Sequence, residues 1–498
     1  MSMADRGQLR AGENRTVRRL IFIAGLGAFA VFTCVFWDYS IDDAFVTFRY
    51  AENLADGHGL VFNPGAEAVE GYSNFLWLLL LSLLYTFGLP TYATAKIIGL
   101  VSFLLTAAIW YRHFERDDNG LSWLTAPLFL LCPITAFWGL SGLELGLHAL
   151  LVTATVVTRV RRSPWFYVLL PLIVLSRPEG FLVGCVLIVT AAALDRANGL
   201  SAGRQLALGA TVLIAAMVAL TLLRLAVFGR PLPNTFYVKT HETTLAGFLE
   251  LGRMLAVFLP LSATMVWGAV RIFHARLRNR EMTLFIALFV LQAVVSSLVS
   301  PVMNFQFRYL VPFLPFMIAV SLHGVSGLKR PSARRLAAGA LALSLMAPLT
   351  SVTSVVQFER NIYAAQKTFI EWSQTLPDST TVSLTDIGRI PYYTKFHYYD
   401  IWGLVNKETG REGFSAMREF LRLPDYFVLV GYVDSGRMEL RFGRERLIAY
   451  RNIFDLTYEP IRLCLPRGAD PEERGYYYFV CRRKPEAGEI ISRPRSDQ

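Results

Sequence analysis

The sequence predicts an α-helical polytopic membrane protein with a small water-soluble α/β domain at its C-terminal end. Of its 498 residues, 54% are hydrophobic and only 17% are charged, which is too apolar for an ordinary soluble enzyme of this size. The apolar residues form blocks that end in short clusters of Arg, Lys, Gly and Pro, as membrane-spanning helices alternate with aqueous loops. This pattern stops near residue 356. We therefore predict a membrane domain over residues 1–356 and a soluble domain over residues 357–498.

Eleven apolar blocks are assigned as membrane spans. The first follows the basic residues Arg15, Arg18 and Arg19 and has no small-residue cleavage site, so we expect it to be an uncleaved span. The block at 164–176 is about 20 Å long as a helix, less than the ~30 Å hydrocarbon core, so Arg177 and Glu179 are expected in a recess. The predicted spans are 20–37, 93–111, 121–139, 142–158, 164–176, 179–194, 205–228, 254–273, 282–300, 309–327 and 336–356.

A further apolar run, Asn74 to Leu89, is short and directly follows a polar loop. If it does not cross, most Arg and Lys residues of the later loops fall on the cytoplasmic side, as the positive-inside rule requires. If it crosses, that bias inverts. We therefore predict a juxtamembrane helix here. With the basic N-terminus inside, an odd number of spans places the C-terminal domain outside the cytoplasm, on the outer face of the plasma or inner membrane.

Net charge and cysteine content bear on partners and on redox state. The net charge is +11, but most basic residues lie in short loops between apolar spans, where they set topology, so nucleic-acid binding is not expected. Cys464 and Cys481 lie in the soluble domain and enclose a stretch rich in Pro and Gly. If this domain is exported, we predict a disulfide between them, with α-carbons within roughly 7 Å. Two buried free thiols are the alternative.

The soluble domain shows the alternating apolar runs that are typical of strands. Strands are predicted at Thr381 to Leu384, Tyr426 to Val433 and Tyr476 to Val480. Helices are predicted at Phe369 to Thr375 and Phe414 to Leu421. Together these elements predict a small α/β domain.

An acidic pair, Asp42 and Asp43, follows the first span by a few residues. Paired carboxylates beside a membrane helix are costly unless they have a function. In a sugar transfer, a carboxylate would deprotonate the acceptor hydroxyl. The alternative is that they cap a helix beginning near Ala44, which we expect of one of the two but not of both.

The run that begins at Asp42, DDAFVTFRYAENLADGHGLVFNPGAEAVEGYSNFLW, resembles the first outer loop of the C-type glycosyltransferase (GT-C) superfamily. The similarity is to a large bacterial branch of this superfamily, whose best-known members are the mycobacterial terminal β-(1→2)-arabinofuranosyltransferases of the cell wall. Further matches follow in the expected order along most of the chain. They are Ser141 to Glu144, Ser176 to Gly180, Pro233 to Lys239, Arg308-Tyr309 with Pro312, Thr385 to Tyr393, and Asp400 to Leu404.

The resemblance implies a GT-C fold and one direct, inverting transfer from a polyprenyl-phosphate sugar to a cell-envelope glycan or glycoconjugate. The arabinofuranosyltransferases imply D-arabinofuranose as the sugar, although relatives of unknown substrate share these motifs. The resemblance points to Asp42 as the general base. Asp43 also stays a candidate for the base. The superfamily pair is often Asp-Glu, and here the spacing from the pair to Arg49 and Tyr50 is slightly longer than in the superfamily.

The other candidate residues fall in loops or at span ends on one side of the membrane. Arg177, Lys239 and Arg308 are the basic groups placed to bind a donor phosphate. Lys239 could instead snorkel to the interface, and Arg177 could form an internal ion pair with Glu179. The candidates for binding sugar or acceptor are Arg49, Glu70, Tyr72, Asn74, Glu144, Glu179, Asn234 and Tyr237.

The sequence also bears on a metal cofactor and on two competing functions. His58 has no companion at ligand spacing, so zinc is not expected, while a loosely held Ca²⁺, Mg²⁺ or Mn²⁺ on the acidic loop stays open. A lipid-linked saccharide transporter or flippase would need charged residues within spans, whereas this acidic pair lies in a loop. An oligosaccharide polymerase or ligase with a diphosphate-linked donor would share the outer site but not this pair as base.

Overall fold

The structure is a computed structural model that describes residues 3–115, 120–197, 199–239, 244–275, 279–298, 304–412, 415, 418, 421–434, 437–440, 451–464 and 475–488. Apolar helices form the larger part, and a mixed sheet follows them. The helices up to residue 373 are α1 (Met3–Val35), α2 (Asp42–Ala55), α3 (Phe75–Thr86), α4 (Thr91–Phe114), α5 (Thr125–Leu131), α6 (Pro133–Leu140), α7 (Leu145–Val160), α8 (Trp165–Ser176), α9 (Gly180–Ala197), α10 (Gly203–Phe228), α11 (Asn234–Lys239), α12 (Thr244–Val257), α13 (Leu259–His274), α14 (Arg280–Ser297), α15 (Leu314–Ser326), α16 (Pro331–Met346) and α17 (Leu349–Ser373).

Every predicted span falls on one or two of these helices. By length and composition, six helical segments in the described ranges can cross a membrane, and two bent pairs add to them. The bends are 58° between α5 and α6 and 96° between α12 and α13. Four shorter apolar helices, α3, α7, α8 and α15, complete the set. The number eleven therefore stays a prediction.

The run from Asn74 to Leu89 forms α3, which has only 12 residues. At 1.5 Å per residue it is about 18 Å long, too short to cross a ~30 Å hydrocarbon core. Because α8, which is assigned as a span, also has 12 residues, length alone does not distinguish the two, and the juxtamembrane position of α3 stays a prediction.

Small residues allow the central helices to pack closely. Gly99 of α4 lies so close to the backbone of Gly139 and Gly146 that a β-carbon on Gly99 would overlap the Gly139 carbonyl. Such contacts between backbones are typical of membrane helix pairs, where close van der Waals packing is the main attraction. Large apolar side chains on the outer surfaces of the bundle remain exposed, including Leu222, Phe273 and Leu343, as expected of groups that face lipid.

The C-terminal domain contains a six-stranded mixed sheet. Its strands are β1 (Thr381–Leu384), β2 (His397–Asp400), β3 (Tyr426–Asp434), β4 (Arg437–Leu440), β5 (Tyr458–Cys464) and β6 (Gly475–Arg483), with short helices α18 (Arg389–Tyr393), α19 (Lys407–Glu412) and α20 (Arg451–Thr457). The order is β2-β1-β3-β6-β5, and β4 pairs with β3. β1 is parallel to β2 and β3, whereas the other pairs are antiparallel. The three predicted strands are confirmed as β1, β3 and β6.

Helix α17 crosses the predicted domain boundary at residues 356 and 357 without a break. The helix predicted at Phe369 to Thr375 is the end of α17, which stops at Ser373. Trp372 there packs edge-on against Tyr426 of β3 at 5.7 Å between ring centroids. One rigid helix therefore joins the membrane helices to the sheet. Most of the other predicted helix, Phe414 to Leu421, lies outside the described residues.

The predicted disulfide between Cys464 and Cys481 is wrong, because both thiols are free in the structure. β5 and β6 pair so that Cys464 is opposite Tyr478 and Cys481 is opposite Pro460. The two cysteines are therefore three ladder positions apart, or about 10 Å at the strand rise, too far for a disulfide. The turn-rich sequence between them does not fix register, which the strand pairing sets. The disulfide thus gives no support for an exported domain.

Candidate active site at the first loop

The acidic pair forms the first turn of α2, where carboxylates favour the helix N-terminus. Asp42 is bound to the C-terminal domain on both of its carboxylate oxygens. Oδ1 accepts hydrogen bonds from the Arg389 backbone N–H and the Gln366 amide at 2.9 Å each, and Oδ2 accepts one from the Gly388 N–H at 3.0 Å. Burial raises the pKa of the Asp42 carboxyl despite these donors. Asp42 therefore joins α2 to α18 and α17.

Asp43 is placed differently from its neighbour. Its side chain is 42% exposed, and the one ion pair found for it among the described residues is with Arg308, whose Nη1 lies 3.7 Å from Oδ2. That separation is long for a hydrogen bond, so the carboxylate keeps its acceptor capacity. Asp43 is thus the member of the pair that faces open space.

Arg308 is held in place by an unusual backbone. Gln306 and Phe307, which precede it, have positive φ of 47° and 57°, a region that non-glycine residues rarely adopt and that is frequent at functional sites. The Gln306 carbonyl accepts a hydrogen bond from the Trp138 indole at 3.0 Å, which fixes this turn. Arg308 itself is only 9% exposed, and its Nε has no hydrogen-bond partner among the described residues. A buried guanidinium with a free donor can receive an anion.

Other polar atoms without a partner lie around the pair. The Tyr39 hydroxyl and Glu359 Oε2 are buried and without a hydrogen bond among the described side chains, and both groups are within electrostatic reach of Asp43. Buried polar atoms usually have partners, so a group of them beside an exposed carboxylate indicates a place that a polar ligand or water fills.

The residues that flank Arg308 in sequence line an apolar crevice. Phe307 and Leu310 line it on either side of the arginine in sequence, and Phe258, at the bend between α12 and α13, lines the facing wall. The remaining lining residues are apolar as well: Ile134, Met254, Phe289, Val311, Phe313, Leu314 and Met317. The site therefore combines a carboxylate, a guanidinium and an apolar crevice.

Arg177, predicted to bind a donor phosphate, is instead neutralised inside the protein. Its guanidinium pairs with Glu144 and, at 2.5 Å, with Glu179, and its side chain is 5% exposed. Asn74 donates to the other oxygen of Glu144 at 2.7 Å and accepts from Thr47 at 3.2 Å. The predicted alternative, an internal ion pair with Glu179, is therefore confirmed. Asn74, Glu144 and Glu179 belong to this buried chain of contacts rather than to an open surface.

Glu70 and Asn234, predicted to bind sugar or acceptor, also have internal partners. Glu70 receives a bidentate contact from Arg224 of α10 at 2.9–3.1 Å, and both side chains are buried. The Asn234 amide donates to the carbonyls of Gly403 at 2.6 Å and Leu404 at 3.0 Å. The first contact holds the first loop (residues 38–92) against α10, and the second holds α11 against the C-terminal domain.

Arg49, predicted as a sugar ligand, lies in the same junction. Its guanidinium donates to the carbonyls of Phe62 at 2.8 Å and Phe396 at 3.1 Å, and also to Pro391. Burial lowers the pKa of Arg49 to about 10. An arginine surrounded by carbonyl groups crosslinks three chain segments and has few donors left for a ligand.

The remaining predicted residues lie away from the acidic pair or cannot be described. Tyr72 packs against Tyr50 and Phe75, and its hydroxyl has no partner among the described groups. The Tyr237 ring lies 5.4 Å from the Arg230 guanidinium. Lys239 ends α11, and its side chain lies outside the described residues.

Several residues that shape the site were not predicted. Arg389 donates to the Ser40 carbonyl and hydroxyl at 3.0 Å and to Gln366, so it holds the chain just before the acidic pair. No short-range pattern identifies it. Arg224 could have been found, because an arginine inside an apolar span is costly without a partner.

The described side chains contain no group of three or more His, Cys, Asp or Glu residues arranged to hold a metal ion. The divalent cation predicted for the acidic loop therefore stays an untested expectation.

Comparison with known proteins establishes the fold. Residues 358–479 match a family described as a domain of unknown function (DUF8728). No curated protein matches the sequence. Two solved structures are similar over nearly the whole chain, ArnT from Cupriavidus metallidurans bound to undecaprenyl phosphate and the same protein in the apo state. The first is 13% identical with a TM-score of 0.59 and covers 95% of this chain and 99% of that one. The second is 14% identical with a TM-score of 0.60 and covers 96% of this chain and 99% of that one.

The chain is thus a multi-pass membrane protein with a GT-C fold and a small C-terminal sheet domain.

Proposed function

We propose that this protein is a glycosyltransferase that takes a sugar from a polyprenyl-phosphate donor. One observation carries the proposal: the exposed carboxylate of Asp43 lies 3.7 Å from Arg308, whose sequence neighbours Phe307 and Leu310 line an apolar crevice. A sugar linked through phosphate to a long apolar chain needs these three groups, a proton acceptor, a cation and an apolar channel.

The donor phosphate is best accommodated at Arg308. Its Nε is free among the described contacts, whereas Arg177 is already paired with two carboxylates. The crevice beside Arg308 is lined by apolar residues throughout, which suits an isoprenoid chain. ArnT, which shares the fold, has been solved with undecaprenyl phosphate, and this supports a donor of the same class.

The proposed reaction is a single displacement at the anomeric carbon. The acceptor hydroxyl attacks as Asp43 removes its proton, and the bond between the anomeric carbon and the phosphate oxygen breaks. The bonding electrons leave with the phosphate, whose second negative charge is stabilised by Arg308. Attack from the face opposite the leaving group inverts the configuration. The products are the glycosylated acceptor and polyprenyl phosphate.

The contacts favour Asp43 over Asp42 as the general base. Asp42, which the resemblance points to, accepts three hydrogen bonds from Gln366, Gly388 and Arg389. We therefore assign Asp42 the role of positioning α2, so that Asp43 faces the donor. Arg49, Glu70 and Asn234 are assigned to the same support of the first loop.

The finer details rest on the sequence resemblance. The branch that this chain resembles implies D-arabinofuranose as the sugar and a cell-envelope glycan or glycoconjugate as the acceptor. It also implies that the site and the C-terminal domain face away from the cytoplasm at the plasma or inner membrane. Lys239 and Tyr237 stay candidates for contact with substrate on the same ground.

The test is transfer of labelled sugar from synthetic polyprenyl-phosphate donors to a glycan acceptor by the purified protein. We expect Asp43→Asn to reduce kcat by 10²-fold or more, because positioned acid–base groups contribute roughly 10²–10⁴-fold. Asp42→Asn should also lower activity, but with a lower melting temperature, since its contacts hold two domains together.

Two outcomes would change the assignment. If Asp43→Asn turns over normally while Asp42→Asn is folded and inactive, Asp42 is the base. If the wild type transfers none of the sugars yet moves the intact lipid-linked sugar across the bilayer of vesicles, the protein is a transporter and the proposal fails.

A further inference from the structure

Three guanidinium groups converge on one carboxylate at the end of the membrane domain opposite the candidate active site. Asp195, near the end of α9, is 4% exposed and pairs with Arg159 at 2.6 Å, Arg162 at 3.2 Å and Arg280 at 3.3 Å. Arg159 lies in the last turn of α7, whose other end begins beside Glu144. The 16 residues of α7 place the two ends about 24 Å apart.

The three-arginine cluster (Arg159, Arg162 and Arg280) carries more positive charge than its partner neutralises. Arg159 is 11% exposed and occupies Asp195 Oδ2. Arg162 and Arg280 share the other oxygen, Oδ1, and their side chains are 47% and 36% exposed. Each of these two makes one long contact and keeps four donors free among the described contacts, since a guanidinium has five. One carboxylate thus faces three cations.

The geometry of Arg162 and Arg280 suits one bridging anion. Because both contact the same oxygen, their nearest nitrogens are no more than about 6.5 Å apart. A phosphate group, with several acceptor oxygens, can accept from two guanidinium groups at this separation. Two exposed cations held this close repel each other, so an anion between them would relieve the repulsion.

The backbone at Arg162 supports a role for its side chain. Arg162 follows the end of α7 at the position where helices usually carry glycine, and its φ is 55°. Arginine is unfavourable in this left-handed conformation, whereas glycine is not. The side chain at this position is the one that reaches Asp195.

The surroundings point to lipid as the source of the phosphate. Trp165 begins α8, three residues after Arg162, and is 64% exposed. Exposed tryptophan at a helix end is typical of the headgroup layer of a bilayer. Val189 of α9 and Val290 of α14 are also exposed on the same helices, as expected of lipid-facing residues. The cluster therefore lies where phospholipid headgroups would be.

We propose that Arg162 and Arg280 bind the phosphate of an anionic phospholipid in the leaflet opposite the candidate active site. This site is separate from that of the donor and does not depend on the proposed transfer activity. Basic pockets between membrane helices are a known means of holding anionic headgroups. Arg159 keeps Asp195 paired whether or not the lipid is bound.

The experiment is native mass spectrometry of the full-length protein extracted from nanodiscs that contain phosphatidylglycerol and phosphatidylcholine. We expect the wild type to retain phosphatidylglycerol in preference to phosphatidylcholine. Arg162→Ala with Arg280→Ala should weaken this retention roughly 30-fold, since each basic group near a membrane surface contributes about fivefold. Arg159 is left unchanged so that Asp195 is not left unpaired.

Matched controls separate this site from general surface charge. Arg335→Ala removes an exposed arginine at the start of α16 and should leave lipid retention unchanged. The single variant Arg162→Ala, whose side chain is nearly half exposed, should show a partial loss and preserve the fold. The melting temperature of each variant is measured alongside.

Three results would overturn the proposal. The double variant could retain phosphatidylglycerol as the wild type does. Arg335→Ala could weaken retention to the same extent as the double variant. Inorganic phosphate could displace the lipid from the wild type and remain bound, which would make the ligand a free phosphate.

Discussion

Two arginines near the candidate site, Arg177 and Arg308, illustrate how pairing decides a residue's role. Arg177 follows the end of α8 and Arg308 lies in the segment between α14 and α15, and both are less than 10% exposed. Arg177 is paired with two carboxylates, so a phosphate would have to displace one of them at the full cost of desolvation. Among the described residues Arg308 has one ion pair, with Asp43 at 3.7 Å, and a free Nε, although Glu144 is also within electrostatic reach. Both arginines are buried, so at the residue scale the availability of each guanidinium for a ligand depends on the charges beside it.

The first prediction concerns Arg308→Ala. We expect kcat/KM for the lipid donor to fall roughly 10- to 100-fold, because a hydrogen bond to a charged group contributes about 1.5–3 kcal/mol. Arg308→Lys should restore part of the activity, since it keeps the charge. Steady-state kinetics at varied donor concentration would measure both. The control is Arg253→Ala, whose side chain is 68% exposed and pairs only with Glu250 among the described residues. Equal losses in Arg308→Ala and Arg253→Ala would contradict the assignment.

A second residue-scale prediction concerns Asp400, which ends β2 and is fully buried. Its oxygens accept from the N–H groups of Trp402 at 2.9 Å and Val405 at 3.0 Å, yet burial raises its pKa to about 6. The folded state thus holds the proton more tightly than the unfolded state. The neutral carboxyl therefore stabilises the folded state fully below about pH 4. As pH rises through about 6 this contribution is lost, and the free energy of unfolding falls by roughly 3 kcal/mol.

Melting temperatures across this range would test the sign. We expect the wild type to lose stability between about pH 4 and about pH 7. Asp400→Asn cannot titrate, so its deficit relative to the wild type should be largest at acid pH and shrink toward neutral pH. Exposed Asp378→Asn should follow the wild type. Parallel curves for wild type and Asp400→Asn would show that Asp400 does not titrate in this range.

At the element scale, the first loop and the C-terminal domain act as one unit. Asp42 accepts hydrogen bonds from the backbone at the start of α18. The Asn63 amide donates to the Tyr398 carbonyl of β2 at 2.9 Å and accepts from the Tyr398 N–H at 3.1 Å. These contacts join segments more than 300 residues apart. The sheet therefore sets the position of α2, and with it the position of Asp43.

We predict that Gly388→Ala breaks this junction. A β-carbon at Gly388 would overlap the carbonyl and carboxylate of Asp42, and the backbone there has little room to move. The expected loss is about 1–3 kcal/mol of stability, typical of overpacking, together with most of the transfer activity. Thermal unfolding and the transfer assay would measure both. In the control Gly339→Ala, the new methyl group in α16 meets no atom within 4 Å, so neither quantity should fall.

At the scale of the whole molecule, charge is divided between the two ends of the helical domain. The site end carries the acidic pair and its partners, whereas the opposite end carries Arg159, Arg162 and Arg280. An excess of Arg on one side of short loops sets orientation in a membrane. This asymmetry predicts that the candidate site faces away from the cytoplasm.

Labelling of single cysteines with an impermeant reagent would test this orientation in cells. In a background without the five native cysteines, Phe87→Cys should be labelled from outside and Arg335→Cys should be protected. Both positions are exposed, so protection would reflect the membrane and not burial. Labelling after permeabilisation is the control for access. The reverse pattern would mean that α3 crosses the membrane or that the protein is inverted.

The sequence by itself determined the elements and their chemistry. Long apolar blocks predicted the membrane helices, and alternating apolar runs predicted β1, β3 and β6. Both are local patterns, because contact with lipid or burial on one face of a sheet selects apolar residues at neighbouring positions. The acidic pair was evident because carboxylates beside a span are costly. The GT-C resemblance gave the fold.

Only the tertiary structure decided which charged groups are free. Arg177 with Glu144, Glu70 with Arg224, and Asp42 with Gly388 are pairs distant in sequence, and no local period encodes such partners. The same holds for Cys464 and Cys481, since register depends on the pairing of whole strands. A side chain's availability is set by the charges and donors that folding brings beside it, and for Asp43 and Arg308 these come from chain segments more than 250 residues apart.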